Sequence, residues 1–298
     1  MRIYVTGGSG FVGSNLVHVF TAHGHDVVAP AHADVDLTDA RATARSIDKA
    51  VPDAIVHAAI WNGFGDLLAD RRRAWDSFVG ATRNIVAAAQ SAHVVLISTD
   101  WVFDGTQGPA TEDEPPNPVN AYGFLKAASE LVVGDRGTVA RIAGVQGVHR
   151  ARPNTPREQD AGFGYLVASA VGAISAGRRF TVWDDPKLNT VATPTLATDV
   201  GELVLRALER RVTGTLHCVG GEHVDRVTLV RRAVAAFGLD PALLGVGPPP
   251  ANAAGPYDTS LDATYTAEAL GVELRGVDSL LTELRNQLEE AWSAACTT

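Results

Sequence analysis

The sequence predicts an α/β protein, a doubly wound parallel sheet followed by a smaller C-terminal α/β lobe. Three observations carry this. Apolar strand-like runs alternate with helix-like segments through the first half of the chain, as βαβ units require. A glycine-rich turn stands between the first such run and the first helical segment. The chain has 298 residues, 46% hydrophobic and 20% charged, which suits one large folded unit with or without a small companion and excludes a disordered chain.

The elements follow in order. Residues 3–5 read as a strand, 14–23 as a helix, 26–29 as a strand, 40–50 as a helix and 54–57 as a strand. Residues 75–91 are helical, 94–98 form a buried strand, 122–133 a helix and 138–142 a strand. Right-handed crossovers join such strands by default. After Val145 the pattern loosens. The segment 147–162 holds Arg150, Arg152, Pro153, Pro156 and Arg157 and reads as a loop. Residues 163–176, 199–209 and 226–237 read as helices, Pro248-Pro249-Pro250 opens a linker that runs to Pro256, and 279–294 closes the chain as an amphipathic helix.

Charge narrows the partners. The formal net charge is −9, which argues against non-specific nucleic-acid or membrane-surface binding. Three Lys stand against 22 Arg, so bound anions meet planar forked groups. Cys218 and Cys296 make neither a disulfide framework nor a metal-ligand spacing, and no metal is expected. No apolar stretch approaches the roughly 20 residues that span a bilayer. Met1-Arg2-Ile3-Tyr4-Val5 runs straight into a strand, so the expected location is the cytoplasm. The acidic surface and small-residue helices permit a homodimer without requiring one.

The first motif is Thr6-Gly7-Gly8-Ser9-Gly10-Phe11-Val12-Gly13, in which Gly7, Gly10 and Gly13 are spaced Gly-x-x-Gly-x-x-Gly. Between a strand and a helix, such glycines permit a tight turn and let backbone approach a pyrophosphate at the helix N-terminus. The expectation is a dinucleotide site. An acidic residue that binds a ribose 2′-hydroxyl should end the second strand, but Pro30-Ala31-His32 stands there. Without a carboxylate to repel a 2′-phosphate, and with His32 near, NADP is favoured over NAD. Asp36-Leu37 stands beside the adenine, or Asp36 caps the next helix.

The second motif is Tyr122-Gly123-Phe124-Leu125-Lys126. Residues four apart share a helix face, and an ammonium beside a phenol lowers the phenol pKa. Composition predicts roughly 0.05 Tyr-x-x-x-Lys pairs by chance, and only Tyr122 has one. The third is Ser98-Thr99-Asp100 at the carboxyl end of a buried strand, where ligands bind in doubly wound sheets. Thr99, Tyr122 and Lys126 then form a candidate catalytic triad.

This combination resembles the extended short-chain dehydrogenase/reductase family over nearly the whole chain. The glycine turn, Asp36-Leu37, Ala58-Ala59, the Thr99/Tyr122/Lys126 set and Arg141 fall where that family has them. Within it, Ser98-Thr99-Asp100-Trp101-Val102-Phe103-Asp104-Gly105 is similar to the Ser-Thr-Asp-Tyr-Val-Phe-(Asp)-Gly signature of the dTDP-4-dehydrorhamnose reductase subfamily. Glu114, Pro118, Asn120 and Tyr122-Gly123, Pro194-Thr195 with Asp199, the Gly-Thr-Leu-His segment at 214–217 and Ser260-Leu261-Asp262 follow in the same order. Departures fall at Trp61-Asn62-Gly63-Phe64-Gly65, at Ser77 or Phe78 where the family has Asn, at 142–147, and at Gly255-Pro256. Trp101 stands where related dehydratases carry a Glu base, which favours reduction over elimination.

The resemblance implies a Rossmann-type fold, with a nucleotide-binding core over 1–145 that takes further elements from about 190–220, and a mainly substrate-binding lobe over 146–298. It implies that Gly7, Gly10, Phe11, Val12, Gly13, His32, Asp36, Leu37, Ala58, Ala59, Ser98, Tyr122 and Lys126 hold NADP or NAD. Hydride would pass to a ketone, Tyr122 would protonate the alkoxide, Lys126 would hold the nicotinamide ribose, and Thr99 would hydrogen-bond the carbonyl. The substrate expected is a nucleotide sugar, a dTDP-4-keto-6-deoxyhexose, against Trp61, Asn62, Asp100, Trp101, Arg150, Arg152 and Asn189. Arg150 and Arg152 take a diphosphate or are solvated loop charges; Trp61 and Trp101 stack on a ring or pack the cleft floor. His57 and His217 read as core histidines, and Asp184-Asp185 as a turn. The alternatives are a reductase of a smaller ketone or aldehyde, and a non-catalytic NAD(P)-binding regulatory protein.

Overall fold

A computed structural model describes residues 1–61, 64–152, 158–251 and 253–296. Its centre is a six-stranded parallel sheet built from β1 (Arg2–Thr6), β2 (Asp26–Val28), β3 (Ala54–His57), β4 (His93–Thr99), β5 (Thr138–Ile142) and a late strand, Gly214–His217. The spatial order is Gly214–His217, β5, β4, β3, β1, β2. The chain moves from β1 to β2 on one side and returns past β1 to β3 on the other. The order therefore reverses between β1 and β3, and a crevice opens at the carboxyl ends of those strands.

Two-residue alternation assigns the faces. Ile3, Val5, Ala54, Val56, Val95 and Ile97 point to one side, where α1 (Phe11–Ala22) and the later helix Ala197–Arg210 cover them through Leu16, Phe20, Val200 and Val204. Tyr4, Ile55 and Val94 point to the other, against α2 (Ala40–Ala50) and the helix Ala81–Ala88 through Ile47 and Ile85. Val133 of the helix Ala121–Val133 covers Leu96 and Val139. All five early strands and α2 stand where the periodicity predicts them. The helix expected over 75–91 begins earlier, as α3 (Arg71–Trp75), passes through one π-turn at Asp76–Gly80, and continues as α4 (Ala81–Ala88). The helix Ala121–Val133 is α5.

A second apolar core lies after Val145. It is built from α6 (Leu166–Ser175), α8 (Arg226–Ala236) and α10 (Val277–Cys296), with Leu166, Val171, Leu229, Val230, Leu280 and Leu284 among its buried residues. The start of α6 falls three residues after the expected 163, because Tyr165 takes a left-handed conformation at φ 59°. Short strands pair at its margins: β6 (Val145–Gln146) with β9 (Thr195–Leu196), β7 (Phe180–Trp183) with β12 (Leu244–Gly247), and β8 (Val191–Ala192) with β11 (Val224–Asp225). Between them run α7 (Ala197–Arg210) and β10, the late sheet strand; α9 (Thr264–Leu270) precedes α10. Among the described residues no helix is long and apolar enough to cross a membrane.

Candidate active site

The glycine turn is built by close approach. Gly7 has φ +71°, and a Cβ on it would stand 2.7 Å from the Ala59 backbone nitrogen. Gly10 N–H donates to the Gly7 carbonyl at 2.8 Å, and Gly10 then caps α1 with no side chain of its own. A Cβ on Gly13 would overlap that same Gly7 carbonyl oxygen, so the third glycine lets α1 lie against the turn. The first N–H groups of α1 are left for an anion, at the positive end of the helix dipole.

A cleft of about 1240 Å³ starts there. Gly7, Gly10, Phe11, Val12, His32, Asp36, Leu37, Ala58, Ala59, Trp61, Tyr122 and Arg152 all line it. Gly13 packs behind it. Asp36 lines the cleft while its Oδ1 accepts the Thr38 N–H and hydroxyl; the cap of α2 is Asp39 instead. His57 is a core residue: it pairs with the Thr6 hydroxyl at 2.7 Å, and burial, with the Lys126 charge second, pushes its pKa down to about 3.

Several lining residues escaped sequence reasoning. Arg72 and Arg73 reach the mouth from α3, with the Arg73 guanidinium 4.4 Å above the Trp61 ring. The Arg71-Arg72-Arg73 run, in so acidic a chain, is the signal that could have found them. His149 and Tyr165 line the opposite wall, with the Tyr165 ring 4.5 Å from that of Phe11.

Asn120 caps α5 by accepting the Gly123 N–H, and Gly123 brings the helix onto the Trp101 carbonyl, a contact a Cβ would forbid. Tyr122 is thereby set into the cleft, hydrogen-bonded to Thr99. The Phe78 ring of the π-turn stands edge-on to Tyr122 at 6.0 Å and 5.8 Å from the Lys126 ammonium. Burial raises the Tyr122 pKa well above its ordinary value, and the Asp100 charge raises it further. Lys126 stands one turn further along α5. Its ammonium is buried and donates to the Ile97 carbonyl at 2.7 Å, and burial pushes its pKa down to about 8, against the attraction of Glu130.

Other expected residues stand away from the cleft wall. Ser98 is turned inward and donates to Glu130 Oε1 at 2.5 Å. Asp100 is buried, with Thr99 and Thr259 donating to its two oxygens. Trp101 is wedged between loops: Cβ atoms built on Gly162 and on Gly255 would each stand 3.3 Å from its Cζ2, and its ring meets Tyr122 edge-on at 6.3 Å. It packs the floor. Arg150 donates to Asn15 Oδ1 at 3.2 Å, on α1. Asn189 is fully buried and donates to the carbonyls of Val191, Pro256 and Tyr257 and to Thr259. Asn62 and Arg157 lie outside the described residues. His217 is buried between Arg141 and the Asp262 carbonyl, and Asp185 accepts the Lys187 N–H in a turn.

Comparison with known proteins places this arrangement among relatives. A family model described as the RmlD substrate binding domain matches residues 1–290. The chain is 28% identical over 247 residues to the dTDP-4-keto-6-deoxy-D-glucose reductase of Streptomyces niveus, covering 80% of each chain. It is 25% identical over 290 residues to the methionine adenosyltransferase 2 subunit beta of Rattus norvegicus, covering 92% of this chain and 84% of that one. Its fold matches the crystal structure of dTDP-4-dehydrorhamnose reductase from Bacillus anthracis in complex with NADP, with a TM-score of 0.80 at 18% identity over 96% and 98% of the two chains.

Proposed function

The chain belongs to the RmlD substrate binding domain family, and from that membership we propose that it is an NAD(P)H-dependent sugar-nucleotide ketoreductase, acting on the 4-keto group of a dTDP-4-keto-6-deoxyhexose. The observation that carries the proposal is one continuous cleft lined at one end by the Gly7–Gly10 turn and at the other by Tyr122, which is hydrogen-bonded to Thr99. Residues 1–145, completed by elements from about 190–220, form the nucleotide-binding unit in this proposal, and 146–298 mainly the substrate lobe.

The cleft fits a nicotinamide dinucleotide. Gly7 and Gly10 leave room for a pyrophosphate at the N-terminus of α1, and Phe11, Val12, Ala58 and Ala59 flank it. His32, Asp36 and Leu37 would hold the adenosine end. With no carboxylate at the tip of β2 and with His32 near, NADP is the preferred form. Once bound, the dinucleotide supplies the hydride that turns the ketone into an alkoxide.

The chain's own groups do the rest. Tyr122 stays protonated at neutral pH because burial holds its pKa high, so its proton is available to the alkoxide. Lys126 would hold the nicotinamide ribose through its ammonium, which is charged below its pKa of about 8. Trp61 and Arg152, which line the same cleft, would meet the substrate. The relationship to a methionine adenosyltransferase subunit keeps a regulatory role as the rival; the complete Thr99, Tyr122 and Lys126 set favours catalysis.

The test is oxidation of NADPH and of NADH, followed by absorbance, with dTDP-4-keto-6-deoxyglucose. Loss of absorbance that requires the sugar is expected, faster with NADPH. Cofactor binding without any oxidation would overturn the ketoreductase assignment.

A further inference from the structure

We propose that Asp100, Thr259 and Asn189 form a positioning chain, reaching from the C-terminal part of the molecule to the Tyr122 phenol, that fixes the direction of the Thr99–Tyr122 hydrogen bond. Its consequence for turnover rests on the ketoreductase assignment; its geometry does not.

The argument is a count of hydrogens. A threonine hydroxyl has one hydrogen and two lone pairs. Thr99 gives its hydrogen to Asp100 Oδ1 at 3.0 Å. Its oxygen accepts the Trp101 backbone N–H at 3.2 Å. Tyr122 is its remaining partner, so in this bond Tyr122 donates and Thr99 accepts. Thr99 then has no hydrogen left for a ketone oxygen, and the expected bond from Thr99 to the carbonyl gives way to a different division of labour. The Tyr122 hydrogen is the one that can be exchanged between Thr99 and a carbonyl in the cleft.

The other end of the chain holds Asp100 in place. Thr259 Oγ1 donates to Asp100 Oδ2 at 2.5 Å, and Asn189 Nδ2 donates to Thr259 Oγ1 at 2.9 Å. Asn189 also donates to the Pro256 carbonyl at 3.1 Å, which pins the amide to the segment that carries Thr259. Asn189 and Thr259 are each 1% exposed, so water does not compete for these bonds. The groups that face the Asp100 carboxylate are Thr99 and the Trp101 backbone from its own strand end, Thr259 from the C-terminal segment and Tyr122 from α5. None is a cation. If Asp100 ceases to accept, the Thr99 hydrogen is free to turn onto the phenol oxygen, and the bond reverses.

Asp100 and Thr259 are therefore positioning residues, acting through Thr99 on Tyr122. The deciding experiment is a phenolate absorbance titration of the intact protein, with Tyr122→Phe giving the contribution of the other tyrosines. Thr99→Val removes the acceptor of the Tyr122 hydrogen and leaves the Asp100 charge in place, so Tyr122 is expected to ionise at lower pH than in the wild type, whereas loss of a Thr99 donor would move it the other way. In parallel, Thr259→Val is expected to lower kcat about tenfold while KM and cofactor Kd stay within about twofold, and Thr259→Ser to restore it. An unchanged or higher Tyr122 midpoint in Thr99→Val, or a Thr259→Val enzyme as fast as wild type, overturns the proposal. The titration needs no substrate, so it decides the matter even if the wild type reduces no sugar nucleotide.

Discussion

The Glu130 carboxylate grips the Arg141 guanidinium with both oxygens inside the protein: Oε2 stands 2.9 Å from one terminal nitrogen and Oε1 3.2 Å from Nε. Ser98 donates to the same carboxylate, and His217 stands 3.4 Å from the other terminal nitrogen of Arg141. This network joins α5, β4, β5 and β10. Glu130→Gln leaves the Arg141 charge buried without its counter-ion. The expected loss is about 3–5 kcal/mol, measured by denaturant unfolding. A loss below about 1 kcal/mol would mean that water or another group compensates.

Tyr122→Phe is expected to lower turnover by about 10²–10⁴, the usual range for a lost general acid. NADPH binding, followed by fluorescence, should stay within about threefold, since the hydroxyl oxygen is the only heavy atom removed and the ring contacts of Phe78 and Trp101 persist. Turnover retained within tenfold would remove Tyr122 from the proton-transfer role.

Two glycine-to-alanine changes should behave oppositely. At Gly13 the new Cβ overlaps the Gly7 carbonyl, which is backbone and cannot swing aside. Gly13→Ala should cost about 1–3 kcal/mol and weaken NADPH binding more than tenfold, because α1 must move off the turn. At Gly172, within α6, nothing lies within 4 Å. Gly172→Ala should leave binding unchanged and raise stability by about 0.5–1 kcal/mol. Equal effects from the two would discredit the packing argument.

Stability should fall on mild acidification. Burial pushes His57 down to about 3 and His217 down to about 4 from the ordinary 6.5, so both are neutral in the folded protein. Between pH 6.5 and 4 the unfolded chain takes up two protons there that the folded one refuses, and their contribution, complete above 6.5, is progressively lost. Asp100 opposes this: its pKa is raised to about 6 from 3.8 by burial, so over most of that window, below about pH 6, the folded protein holds the extra proton. Two histidines against one carboxyl leave a net loss of stability with falling pH. The melting temperature is expected to fall from pH 7 to 4.5, and more gently in His217→Gln. A melting temperature that rises over that range would refute the assignment.

Much of the frame was legible because it rests on short-range pattern. Ile3, Tyr4 and Val5 alternate between two cores, and the turn glycines declare a backbone approach that no other residue tolerates. Strands of two residues, such as β6 and β9, are too short to show any period. Strand β10 opens on Gly214 and holds only four residues. At the site, the sequence brought Tyr122 and Thr99 together through strand-end and helix positions. It did not reveal that Lys126 spends its ammonium on the Ile97 carbonyl, or that Ser98 faces Glu130, since each depends on which side of β4 a neighbour occupies. Asn189 reads from the sequence as a pocket residue and is buried instead. Its partners, Pro256, Tyr257 and Thr259, lie some 70 residues further along, beyond the reach of local reasoning.

The late arrival of β10 has a consequence for how the protein is made. Strand β5 ends at Ile142, and the strand that pairs with its outer edge begins at Gly214. At about 5–20 residues per second, a ribosome needs roughly 4–14 seconds to supply the intervening chain. Throughout that interval the nascent sheet carries an open edge made of Thr138–Ile142, a strand buried along its whole length in the finished protein. That edge can pair with any other extended chain it meets. Slow translation between the two strands prolongs the exposure, so chaperone demand during synthesis should track the time spent between Ile142 and Gly214 rather than the total time of synthesis.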